Sequence, residues 1–178
     1  MNKNTVKLAN ETLKSHQITA ADRKEYEQIE NLHTWVERFV FEFKLKTENL
    51  PAIIIHFFGW RTYGNFMLRR NGFGKRNEIA INKKFIGAHE FWEVLGALLH
   101  KLLHMENELI CKIGNRNCHN KAYRERAASL GLIVDQGGHM YYAPAPSPFW
   151  DVLAKYGIAA PESTKATKTV VPSPGNSN

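Results

Sequence analysis

The sequence predicts an α+β domain: an N-terminal helix, a small and mainly antiparallel three-stranded sheet, a histidine-bearing helix and a further helix behind it. Three observations carry that prediction. Ile29, Leu32, Val36, Phe39, Val40 and Phe43 recur at mostly three- and four-residue steps, the period of an amphipathic helix. Between Ala52 and Asn82, β-branched and aromatic runs flank a Gly-rich turn, the pattern of strands joined by a hairpin. From about His89 to Ile113 the helical period returns, now with two histidines on one side. A length of 178 residues suits one domain with a proper core, expected over 19–157. Residues 1–18 are expected to be loosely ordered, and 158–178, rich in Pro, Ser, Thr, Lys and Asn, to form a flexible tail.

Taken in order, Thr19 and Asp22 resemble a capping box that opens the first helix. That helix is expected to run to about Lys46, with Asn49-Leu50-Pro51 ending it. Ala52 to Phe58 reads as a strand and Tyr63 to Arg69 as a second. Asn71-Gly72-Phe73-Gly74 supplies the positive-φ positions of a tight hairpin, and Glu78 to Asn82 alternates as a third strand with Ile79 and Ile81 on one face. Gly114 to Asn117 breaks the histidine helix. The next helix, from about His119 to Leu130, stops at Gly131. Leu132 to Asp135, Gly137-Gly138 and His139 to Tyr142 predict a second small hairpin. Ser147-Pro148 opens a last short helix that closes at Gly157.

Composition narrows the function. An apolar content of 43% is that of a globular chain rather than a disordered one. No stretch approaches the length needed to cross a bilayer, so no membrane role is expected. MNKNTVKLANETLKSH has no apolar run of the kind a secretory leader needs, and two cysteines are too few for a disulfide scaffold. A cytoplasmic, reducing setting is the expectation. The formal charge of +7 is concentrated between Arg61 and Lys84, where seven basic residues stand against Glu78 alone. Arg69, Arg70, Lys75 and Arg76 lie around the hairpin turn and are candidate nucleic-acid contacts; the bland alternative is a solvated hairpin. Trp60, Tyr63, Phe66 and Phe73 among these cations either stack on bases or pack the sheet.

The stretch LLHKLLHM holds the chemistry. His100 and His104 are four residues apart, so one helical turn stacks them on one face. At about 100° per residue, Glu93, Ala97, Asn107 and Cys111 share their sector, while Phe91, Leu95, Leu98, Leu102, Leu109 and Ile113 lie opposite. The helix therefore has one stripe for a core and another carrying two imidazoles, which are good zinc ligands. A third ligand must come from elsewhere. His119 leads, at the start of the next helix; Cys118 is the adjacent competitor and His139 a weaker choice. Cys111 lies about 10 Å along the axis from His104, too far to share an ion. In the zinc motif H-E-x-x-H the residue after the first histidine is a glutamate that acts as general base; here it is Lys101.

The run EVLGALLHKLLHMENELICKIGNRNCHNKAYRERAASLGL resembles the SprT-like metallopeptidase domain, a zincin group that includes Spartan-type proteases. Its short members of phage or mobile-element type are the most similar, and the likeness spans roughly Thr19 to Tyr142. The resemblance implies a zincin-like fold, with zinc (Zn2+) held by His100, His104 and His119 and a zinc-activated water attacking a peptide bond. It implies a peptide or protein substrate, laid along an edge strand. It also implies action near DNA, which suits the basic hairpin. Lys101 occupies the position of the family's catalytic glutamate, so impaired activity is expected, and no C-x-x-C pair follows to form the ribbon some relatives carry. The alternative is a non-catalytic zinc-binding pseudopeptidase that binds protein or nucleic acid. Glu93, about two turns from His100, is too far to replace the base, and Glu108, one turn past His104, is a candidate to orient that imidazole.

Overall fold

The computed structural model describes residues 20–59, 62–71, 74–111 and 119–162. Helix α1 (Ala20–Phe43) leads into strands β1 (Ala52–His56), β2 (Gly64–Asn71) and β3 (Gly74–Asn82). Then come the short helix α2 (Lys83–Ala88), the histidine helix α3 (Phe91–Cys111) and α4 (Lys121–Ser129). A two-stranded hairpin, β4 (Leu132–Val134) and β5 (Met140–Tyr142), and a last helix α5 (Pro148–Lys155) complete the described fold. It is α+β, as the periodicities predict. The Thr19–Asp22 cap, the turn residues Gly72 and Phe73, the break at 114–117, and Cys118 lie outside the described residues.

α1 ends three residues before Lys46, and the reason is a turn that composition does not advertise. Lys44 adopts a positive φ of 50°, the Leu45 amide donates to the Val40 carbonyl at 3.1 Å, and the Lys44 amide donates to Phe41 at 3.4 Å. This is a Schellman-type closure in which lysine takes the place usually given to glycine. Turning there buries Leu45 instead of leaving it on an exposed extra turn.

The three-stranded sheet has the order β1-β3-β2 and is mixed. β2 and β3 form the expected antiparallel hairpin, with Phe66 opposite Ile79 and Asn71 opposite Gly74. β1 lies on the other edge of β3 and runs parallel to it, Ile53 facing Ile79 and Ile55 facing Ile81. Strand direction leaves no mark on hydrophobic spacing, so this pairing was not legible beforehand. The crossover from β1 to β2 is tied to one buried side chain, Asn82. Its amide donates to the carbonyls of Gly59 (3.2 Å) and Thr62 (2.7 Å), and its oxygen accepts from the amides of Phe58 (3.3 Å) and Lys84 (3.1 Å). The last of these caps α2, a helix of six residues, too short to show a period.

α3 packs against β2, β3 and α1, and α4 packs against α3 and β4. Trp35 and Phe39 from α1, Ile79 and Ile81 from β3, Leu95, Leu98, Leu99 and Leu102 from α3, and Phe149 from α5 form the centre of the core. Of the predicted apolar stripe of α3, Leu95, Leu98 and Leu102 are buried, whereas Phe91 in its first turn is exposed; the Leu109 side chain and Ile113 lie outside the described residues. Ile158 and Ala160, beyond α5, also pack on this core. None of the described helices is long and apolar enough to cross a membrane.

Candidate metal centre

α3 starts on its own acid. The Glu93 carboxylate accepts from the Glu90 amide at 3.0 Å and lies 3.2 Å from the His89 ring, where negative charge suits a helix N-terminus. It is engaged there and does not serve the histidines. One turn later Gly96 leaves room for Tyr142: a Cβ on Gly96 would lie 2.3 Å from the tyrosine oxygen. The Tyr142 hydroxyl donates to the Glu93 carbonyl at 3.3 Å, so the β4–β5 hairpin docks beside the histidine face. Tyr142 packs on the core, while its neighbour Tyr141 is exposed.

His100, His104 and His119 converge. Their Nε2 atoms are 3.0 Å apart for 100–104 and 3.1 Å for both contacts of His119. His100 and His104 are buried and His119 is half-buried. A triangle of that size puts each nitrogen about 1.8 Å from its centre, so all three can reach one ion at the usual zinc–imidazole distance of about 2.0–2.1 Å. A proton can bridge only one pair of these nitrogens at a time; a divalent cation serves all three. The three residues therefore form a cluster that can hold a metal ion, and among the described residues it contains no fourth His, Cys, Asp or Glu.

The protonation states agree. Burial holds the imidazoles of His100 and His104 far below their ordinary range, and the neighbouring Lys101 and the other rings push the same way. His119 is lowered by burial and by Lys101, with the Gln136 carbonyl and Asp135 opposing. All three are neutral near pH 7, the form that ligates metal.

Each ligand has its own support. Asn120 caps α4, its side chain accepting from the Tyr123 amide at 2.8 Å, which fixes the step from His119 into the helix. Tyr123, four residues after His119, donates its hydroxyl to the His100 carbonyl at 2.9 Å. The Arg124 guanidinium donates to the His119 carbonyl. The Gln136 backbone lies near enough to favour the charged form of the His119 ring, on the side where an outer contact can orient that imidazole. His100 Nδ1 is buried and has no hydrogen-bond partner among the described residues.

The other sequence candidates separate cleanly. His139 is not in the cluster: its ring is paired with Asp135 at 2.8 Å. Lys101 is half-buried beside the three rings, and burial pushes its ammonium down to about 8. Among the described residues no carboxylate pairs with it. No hydrogen bond of the described residues joins Glu108 to His104. The carboxylate this fold does use is Glu106, which sequence reading missed. It is buried, bonded to the Arg126 guanidinium and the Lys46 amide, both at 3.0 Å, and so ties α3 to α4 and the end of α1. Phe66 is buried and Tyr63 packs on Phe85 with centroids 4.9 Å apart, so both serve the sheet; Trp60 and Phe73 lie outside the described residues. Arg69 stands opposite Arg76, and Arg70 opposite Lys75, in the β2–β3 register.

No family model, curated protein or solved structure matches this chain.

Proposed function

We propose that this chain is a SprT-like zinc metallopeptidase domain that binds zinc through His100, His104 and His119 and whose hydrolytic step is impaired by Lys101. The observation that carries the proposal is the convergence of three neutral Nε2 atoms at 3.0–3.1 Å, two from one helical turn and one from the start of the next helix. Zinc in such a site supplies Lewis acidity towards a peptide carbonyl and towards water. The chain's own residues hold the ion and keep the imidazoles neutral. Among the described residues the cluster holds no carboxylate, and Asp135, whose charge reaches His119, is engaged by the His139 amide and ring. Lys101, where the family has glutamate, adds positive charge there, opposing both metal binding and proton removal.

That charge favours a second reading, a zinc-binding module without catalysis that docks on protein or nucleic acid. The facing cations of the β2–β3 hairpin point the same way, because like charges in opposite register positions destabilise a sheet and are relieved by an anionic partner. Metal analysis and a peptidase assay divide the two readings. One zinc per chain after chelator-free purification, lost in His119→Ala, supports the metal site; a chain that carries no metal and takes up none on titration overturns both readings. Protein hydrolysis by Lys101→Glu, weak or absent in the native chain, supports the impaired peptidase. Silence in both selects the binding module.

A further inference from the structure

His100 and His104 are aimed by their helix, but His119 precedes α4 and owes its direction to something else. That something is the turn between β4 and β5. Asp135 closes it: its carboxylate accepts from the His139 amide at 2.9 Å and holds the His139 ring at 2.8 Å, and its carbonyl accepts from the Gly138 amide at 3.2 Å. The closed turn brings the Gln136 backbone up to the His119 ring. It also lays Gly138 against that ring, where a Cβ would lie 2.5 Å from Cε1, 3.1 Å from Nε2 and 3.2 Å from Nδ1. The turn is itself anchored, through Tyr142 on Gly96 and through the buried Leu132 and Val134.

We propose that the 136–138 turn is the positioning element for the third metal ligand, and that Gly138 is the residue on which it depends. Any side chain at 138 displaces the His119 ring from the point where the three nitrogens meet. The proposal rests on the metal-binding reading given above. Gly138 also has a positive φ of 88°, so a backbone reason for glycine must be separated from the contact with His119. The chain contains its own control. Gly157 has a nearly identical φ of 86°, yet nothing lies within 4 Å of a Cβ built there. Alanine at either position strains the backbone alike; only at 138 does it strike a ligand.

The test is a zinc titration against a chromophoric chelator, paired with the visible spectrum of the cobalt-loaded protein. It compares the native chain, Gly138→Ala, Gly157→Ala and His119→Ala. Gly157→Ala is expected to bind like the native chain. Gly138→Ala is expected to lose about 10- to 100-fold in affinity, with a cobalt spectrum shifted towards that of His119→Ala. In the metal-free proteins the two glycine variants are expected to lose similar thermal stability. Gly138→Asn, which tolerates a positive φ better but carries the same Cβ, serves if the alanine variant does not fold and must show the same loss. Native affinity and an unchanged cobalt spectrum in a folded Gly138 variant overturn the proposal while leaving the metal site standing. A native chain that binds neither metal overturns both.

Discussion

Tyr123 lies nearly parallel to His104, ring centroids 4.5 Å apart and planes 23° from coplanar, while its hydroxyl donates to the His100 carbonyl one turn away. One buried side chain on α4 thus touches both ligands of α3. Tyr123→Phe keeps the stacking and loses the hydrogen bond, for an expected cost of about 1 kcal/mol. Tyr123→Ala opens a cavity under both rings, for about 3–5 kcal/mol and a weaker metal site. Urea unfolding of the metal-free proteins measures the first effect and zinc titration the second. Equal stabilities for the two variants would contradict this account.

Acid is expected to weaken the metal-free protein, and the sign follows from the buried rings. His100 and His104 have folded-state pKa values far below the ordinary 6.5, so below that pH the unfolded chain binds protons that the native chain refuses. Their stabilising contribution is present above about pH 6.5 and is lost as pH falls, each ring approaching about 1.4 kcal/mol per pH unit. His119, half-exposed, contributes less. Denaturant melts between pH 7.5 and 5 check this. Replacing His100 and His104 together by Gln should flatten the slope; an unchanged slope in that double variant would assign the acid sensitivity elsewhere.

The buried Glu106 carboxylate pairs at 3.0 Å with the partly exposed Arg126 guanidinium, which also donates to the Phe43 carbonyl at 2.9 Å. Removing the cation alone leaves the buried Glu106 carboxylate with the Lys46 amide as its remaining partner among the described residues. Arg126→Met is expected to cost about 1–3 kcal/mol, solvent around the partly exposed arginine limiting the loss, and Arg126→Met with Glu106→Gln markedly less, because the second change removes the stranded charge. Chemical denaturation of the singles and the double closes the cycle. Additive losses would show that the pair is not coupled.

The facing pairs Arg69/Arg76 and Arg70/Lys75 predict salt-dependent retention on duplex DNA. Replacing Arg69 and Arg70 with Ser is expected to lower the slope of log K against log salt by about 2. Retention that is absent at low salt, or unaffected by the substitutions, removes nucleic acid from the list of partners.

The parts of this molecule that repeat along the chain were legible in its sequence; the parts that meet only in three dimensions were not. The stripe of leucines opposite His100 and His104 follows from the helical period alone, and the two rings are on one face as expected. His119 was one of three donors open on spacing, and it took the fold of α4 and the hairpin to bring its Nε2 to the others. The end of α1 was missed because Lys44, not glycine, takes the left-handed position. Glu106 and Arg126 are 20 residues apart with no periodic link, and the fit of Gly138 against His119 looks in the sequence like an ordinary turn glycine.

Tyr142 is wedged among Trp92, Phe149 and Trp150, at centroid distances of 4.9, 5.5 and 5.9 Å. The strand that leads to the seat of His119 is therefore bolted into an aromatic cluster that forms when the chain folds. Preorganisation follows: the ordering entropy of the three rings is lost during folding rather than at ligation, so an arriving ion has only its own hydration shell to shed. Exchange of any ion held there should then keep pace with the breathing of this cluster, far more than with the intrinsic lability of metal–imidazole bonds.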